Sequence, residues 1–388
     1  MKKKLSRLTL ILVSILSLVF GFVASGIAVI YYSIPVSDVI PATLSSHKLT
    51  TAGDLDVDTI TSQDLSIHFL ELGNKYTGDC TLIKVGSTEV LIDAGSKASS
   101  IPTIKAYLDH FVTDGTLEYV IVTHAHQDHI AGFGTGENTD SLLDMYEVGT
   151  IIKFVHTKST AKVYKNFCRE VEEVASRGTK VYNALQCINQ TDGAQKVYPL
   201  GDGINLEILD QKYYHENTAG NENDNSVCCQ IVQNNEKYYL FTGDLESGGE
   251  ASLVSRNRNT LHQVEVYKAG HHGSKTSSSN ALMSVIKPKR VCVCCCAGSS
   301  EYTKNNANQF PTQDFVDRVA PYTDQVFVTT LCINWAAGDF TPMNGNIVVY
   351  CKKEDTEVSI HCSNNDSTIL KDTDWFRANR KMPANWAA

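Results

Sequence analysis

Four potential metal ligands fall within six residues: His124, His126, Asp128 and His129, in the run Thr123-His124-Ala125-His126-Gln127-Asp128-His129. They directly follow Tyr119-Val120-Ile121-Val122, which has the pattern of a buried strand. Imidazole and carboxylate donors on both sides of a tight loop at a strand end suit two adjacent cations better than one. Two later runs end in a similar way. Leu240-Phe241-Thr242-Gly243-Asp244 reads as a hairpin strand closing on an Asp, and Lys268-Ala269-Gly270-His271-His272-Gly273-Ser274 as a strand closing on a His doublet. Taken singly these are ordinary features, since an Asp after a strand is usually a turn former and a His pair usually a solvated one. All the donors at strand ends together point to one centre. Two cations about 3.5–4 Å apart supply hydroxide from water near neutral pH, so hydrolysis is the expected chemistry. Asp128 is expected to orient the nucleophile, and His272, Ser274 and Lys275 stand where they can contact a substrate anion.

The elements that must place these residues are legible in outline. Short β-rich runs recur at 66–72, 80–85, 89–92, 118–123, 150–155, 205–209, 227–232, 238–242, 265–268 and 290–296. Helix candidates lie between them at 101–111, 160–175, 247–255, 280–286 and 312–319. The order predicts an α/β domain of two sheets flanked by helices. A last hairpin is expected from 346–351 and 357–362, and Trp375, Phe376 and Trp386 give the polar tail at 363–388 something to dock with.

The N-terminus gives a separate signal. Lys2, Lys3, Lys4 and Arg7 precede an apolar run over 8–32, long enough to cross a hydrocarbon layer of about 30 Å. The expected organisation is a membrane anchor or signal segment at 1–32, a linker at 33–62, the hydrolase domain at 63–362 and the tail. An uncleaved transmembrane helix with a cytoplasmic basic flank places the domain outside the cell membrane; cleavage would make it secreted. The twelve Cys lack a paired C-x-x-C frame, and Cys292, Cys294, Cys295 and Cys296 crowd one strand-like run, so most read as small buried hydrophobes.

The motifs resemble the metallo-β-lactamase superfamily, whose H-x-H-x-D-H pattern is matched at every fixed position. Residues 78–95, Asn223-Asp224-Asn225-Ser226-Val227, Thr242-Gly243-Asp244-Leu245 and His271-His272-Gly273-Ser274-Lys275 look most like the hydrolase domain of the DNA-uptake competence protein ComEC and its stand-alone relatives. Teichoic-acid phosphorylcholine esterases have similar motifs. The resemblance implies an αββα sandwich with two divalent ions, Zn²⁺ or Mn²⁺, at one edge between the sheets. It assigns His124 and His126 to the first ion, Asp128, His129 and His271 to the second, and Asp244 to both, with His271 preferred over His272 as the first after its strand. Asp93 is implied to orient a ligand His.

Two departures stand out. Where many relatives carry a third His for the first ion, this chain has Glu222-Asn223-Asp224-Asn225-Ser226; Asp224 is the candidate substitute, with His156 and His215 as other possible donors. Where ComEC relatives carry a His before Pro, this chain has Gln309-Phe310-Pro311.

Composition narrows the substrate only a little. With 34 Lys and Arg against 43 Asp and Glu, the net charge of −9 leaves no global basic field for nucleic acid, so any grip on a polyanion must be local. Lys268, Lys275, Lys287, Lys289 and Arg290 form one locally basic stretch near the metal edge, which could follow a polyanion backbone. The expected activity is hydrolysis of an anionic phosphodiester, in DNA or a teichoic-type polymer. A lactone, amide or thioester hydrolase and a non-catalytic metal-binding sensor are the alternatives, and no protein partner is inferable.

Overall fold

The segment Arg290–Ala297 shows how this sequence builds its layers. Cys292 and Cys294 join the core shared by the two sheets, whereas Val291, Val293 and Cys295 join a second core under the helices. Side chains alternate across a strand, so one covered on both faces must be apolar throughout. Ten of the twelve Cys are buried, as expected of small hydrophobes filling strands.

The computed structural model describes residues 61–136, 139–365 and 368–387. Its chain begins with β1 (Leu65–Phe69), β2 (Thr81–Val85), β3 (Thr88–Ile92), β4 (Thr116–Val122), β5 (Glu147–Lys153) and β6 (Lys180–Asn183). It continues through β7 (Val197–Gly201), β8 (Ile204–Leu209), β9 (Cys228–Gln233), β10 (Lys237–Phe241) and β11 (Val266–Lys268). The last strands are β12 (Arg290–Ala297), β13 (Val326–Asn334), β14 (Asp339–Pro342), β15 (Ile347–Cys351) and β16 (Ser359–Cys362). They form two eight-stranded sheets, ordered β16-β15-β1-β2-β3-β4-β5-β6 and β14-β13-β12-β11-β10-β9-β8-β7. This is a mixed α/β architecture with two sheets. Phe69 from the first stacks on Phe241 from the second, with centroids 6.2 Å apart.

The helices expected at 101–111 and 280–286 are present as Ile101–Phe111 and Asn280–Ile286, and those near 160, 247 and 312 as Lys162–Ser176, Ser247–Arg256 and Gln313–Val319. The expected last hairpin is β15 paired antiparallel with β16. The tail belongs to the packed domain: Phe376 and Trp386 join the second core, and the Trp386 indole donates to the Thr323 carbonyl at 2.8 Å. Four strands went unread in the sequence: β6, β7, β13 and β14. Of these β6 and β7 are short edge strands, and β7 contains Pro199, which suits an edge.

The apolar run at 8–32 and most of the 33–62 linker lie outside the described residues. Among the described residues no helix is long and apolar enough to cross a membrane.

Candidate metal centre

Each expected donor sits at a strand end on the same edge of the two sheets. The 124–129 loop leaves β4 of the first sheet; Asp244 follows β10, and the His doublet follows β11, both in the second. Backbone bonds tie these loops together: Val227 N donates to Thr123 O at 2.9 Å, and His271 N to Gly243 O at 3.1 Å. Gly243 adopts φ +53, and a Cβ there would stand 2.8 Å from Ser226 Oγ and 2.9 Å from Thr123 Cβ. Glycine is required by the conformation and by the contact.

Asp244 is the meeting point. Its Oδ2 lies 3.3 Å from His129 Nε2, 3.4 Å from His272 Nε2, 3.8 Å from His271 Nε2 and 3.9 Å from His124 Nε2. Asp128 Oδ2 is 3.5 Å from His272 Nε2, and His126 Nδ1 is 3.0 Å from His124 Nε2. The structure therefore gathers His124, His126, Asp128, His129, Asp244 and both members of the doublet around one point. His129 Nε2, His272 Nε2 and Asp244 Oδ1 are buried without a hydrogen-bond partner. Orphaned buried polar atoms of this kind call for a partner, and an N/O donor set of imidazoles and carboxylates fits a divalent cation. Asp79, His129, Asp244 and His272 together have the spacing of a metal-binding group.

The doublet divides its labour. His272 is buried, with Nδ1 held by the Cys294 carbonyl at 2.9 Å and lying 3.2 Å from Asp79 Oδ1, so its free nitrogen is the one aimed at Asp244. His271 is partly exposed; Nδ1 contacts Thr276 Oγ1 at 3.0 Å and its ring packs on Phe310. Both residues have left-handed backbones, φ 47° and 55°, a conformation that costs a non-glycine residue free energy. That reversal of the chain turns the second His, rather than the first, into the interior.

Carboxylates behind the imidazoles fix their orientation. Asp93 Oδ2 bonds His129 Nδ1 at 2.7 Å and Thr123 Oγ1 at 2.7 Å, leaving Nε2 toward the centre. Asp79 stands 3.7 Å from the same His129 Nδ1 and forms a buried ion pair with Lys268. Sequence reasoning gave Asp79 no role here and read Lys268 only as part of a basic stretch near the metal edge.

The charges answer one another. Burial alone would raise the pKa of Asp244, but His272 and His129 outweigh it and hold the carboxyl well below its usual range. Burial opposes charge on His129 and His272 too, and there Asp244, with Asp93 or Asp79, wins and raises both. Burial and the neighbouring His129 keep His124 well below the usual imidazole value, neutral and able to donate its lone pair.

Other candidates are engaged elsewhere. Asp224 Oδ1 accepts from the Glu246 backbone at 3.4 Å, His215 pairs with Asp210 at 2.7 Å, and Lys275 is exposed with its ammonium on Asn308 at 3.0 Å. The basic stretch is largely neutralised: Lys268 is on Asp79, and Lys289 and Arg290 are both on Glu265. A residue that nothing in the sequence signalled is Tyr302, whose hydroxyl donates to Asp128 Oδ2 at 2.5 Å.

A protein-family pattern described as the metallo-beta-lactamase superfamily matches residues 73–138, which contain Asp79, Asp93 and the whole 124–129 cluster. Over those residues the chain carries a metallo-beta-lactamase superfamily domain. The chain is 32% identical over 131 residues to Competence protein ComA of Neisseria gonorrhoeae, covering 34% of this chain and 17% of that protein. It is 27% identical over 214 residues to Recombination protein 2 of Haemophilus influenzae, covering 54% of this chain and 22% of that one. The chain thus matches only about a fifth of the length of these curated relatives. Among solved structures, the metallo-beta-lactamase fold protein YhfI from Bacillus subtilis aligns with a TM-score of 0.38 at 11% identity, over 69% of this chain and 96% of that one.

Proposed function

We propose that this domain is a metal-dependent phosphodiesterase acting on DNA, held outside the cell membrane by residues 8–32. One observation carries the chemistry: the unpartnered Nε2 atoms of His129 and His272 converge on Asp244 Oδ2 at 3.3 and 3.4 Å. In this reading His124 and His126 would hold a first ion, Asp128, His129 and His272 a second, with Asp244 available to either. His272 replaces His271 in the expected set because its free nitrogen faces the cluster from a buried position. Divalent cations held there, Zn²⁺ or Mn²⁺, would supply hydroxide at neutral pH and positive charge against a phosphoryl transition state.

The chain's own residues then set geometry. Asp93 and Asp79 fix the imidazole rings from behind. Asp128, tied by the Tyr302 hydroxyl, orients the attacking water, and His271 at the partly exposed rim faces the substrate. The relatives named for competence and recombination support DNA over a cell-envelope polymer.

The test is turnover by the full chain loaded with Mn²⁺ or Zn²⁺. Cleavage of bis-p-nitrophenyl phosphate and of an oligonucleotide, abolished by EDTA, is the expected result. Hydrolysis confined to a lactone, a thioester or nitrocefin would overturn it.

A further inference from the structure

An aromatic and basic track borders the metal centre on the Asp128 side. Tyr302, 55% exposed, bonds Asp128 through its hydroxyl while its ring lies 5.7 Å from Phe310. Phe310 in turn packs 5.9 Å from the His272 ring. On the far side of Tyr302, Glu301 accepts from Thr77 N at 2.9 Å, which brings the Lys75-Tyr76 turn alongside. There Tyr76 meets Trp335 edge-on at 5.5 Å. Lys75 Nζ stands 4.3 Å over the Trp335 ring, and Lys97 Nζ 4.7 Å over Tyr76. Lys75 donates to a neutral carbonyl, that of Trp335, so its charge is not spent on a carboxylate there. Glu301 neutralises Lys97 at 3.6 Å.

Partly exposed aromatic rings interleaved with ammonium groups are what a strand of unpaired bases requires: rings for the base faces and cations for the backbone. A duplex keeps its bases stacked on one another and cannot use such rings. From this we infer that the Tyr302–Trp335 track binds single-stranded DNA and delivers it to the metal centre, an inference resting on the phosphodiesterase reading above. Through its hydroxyl Tyr302 joins the track to Asp128 at the cluster. The position of Phe310, where relatives carry a His, is then a packing support for the Tyr302 ring.

The experiment measures binding of a fluorescein-labelled oligothymidylate to the full chain by anisotropy, with EDTA present so that nothing is cleaved. The single strand should bind at least about tenfold tighter than the same strand annealed to its complement. Trp335→Ala should weaken it at least about fivefold and Trp335→Phe much less, since a ring remains. Lys75→Gln combined with Lys97→Gln should flatten the dependence of log Kd on log salt by roughly one unit. Equal affinity for both forms, or an unchanged Kd in Trp335→Ala, overturns the track. Cleavage of bis-p-nitrophenyl phosphate without strand binding overturns the track and leaves the hydrolase reading standing; binding without cleavage of any phosphodiester overturns that reading and not the track.

Discussion

Lys268 and Asp79 form an ion pair whose side chains are only 4% and 5% exposed, directly behind the imidazoles of His129 and His272. Lys268 Nζ is also 4.0 Å from Asp244 Oδ1, so one ammonium stands between two carboxylates of the site. Such a pair adds little net stability, but breaking it leaves an uncompensated buried charge. Lys268→Met should therefore cost about 3–5 kcal/mol in urea unfolding of the EDTA-treated protein. Combining it with Asp79→Asn should recover most of that loss; a double variant as unstable as the single one would mean that Lys268 acts through packing alone.

Metal content separates the members of the site. Asp244→Ala removes the oxygen nearest four imidazole nitrogens, and after Zn²⁺ loading and desalting it should retain well under one ion per chain. His272→Ala should lose one equivalent, and His271→Ala should keep its metal. Elemental analysis of the three variants decides, and metal loss in His271→Ala with retention in His272→Ala would reverse the assignment within the doublet.

The legibility of this protein follows the range of its interactions. The strand-end donors were readable because local pattern alone places them, and the apolar run of β12 was readable because both its faces are covered. The choice between His271 and His272 was not, since it turns on two left-handed residues that are not glycines, and the flanking Gly270 and Gly273 do not say which imidazole faces inward. Lys268 was legible only as part of a basic stretch near the metal edge; its burial depends on Asp79, far away in sequence. Tyr302 was silent for the same reason, its partner Asp128 lying on another loop.

Two glutamates should make stability fall with rising pH. Glu250 is fully buried and accepts the Ser278 and Ser279 amides at 2.7 Å each, yet burial pushes its carboxyl from 4.5 up to about 7. Burial raises Glu71 to about 7 as well. The native chain thus holds protons that the unfolded chain has released, so stability is greatest below about 4.5 for these groups and declines as pH rises through about 7. The loss from Glu250 is up to about 3 kcal/mol. Urea midpoints measured across this window should drop with pH, and Glu250→Gln should flatten the slope; a slope unchanged in that variant would assign it to other groups.

Gly95 clasps the ligand loop from the opposite side. Its N–H donates to Asp79 O at 2.8 Å, while Asp79 N donates to Asp128 O at 3.0 Å. A Cβ on Gly95 would stand 1.6 Å from that same Asp128 oxygen, a backbone atom that cannot rotate away. Gly95→Ala must push the 124–129 loop off the Asp79 turn, costing about 3 kcal/mol or more and displacing Asp128 from the cluster. At Gly136, by contrast, a Cβ would meet nothing within 4 Å, so Gly136→Ala serves as the matched control. Urea unfolding and bound metal should both fall in the first variant and hold in the second. Intact metal content in Gly95→Ala would show that the loop yields without losing its ligand geometry, and that the clasp is not what positions Asp128.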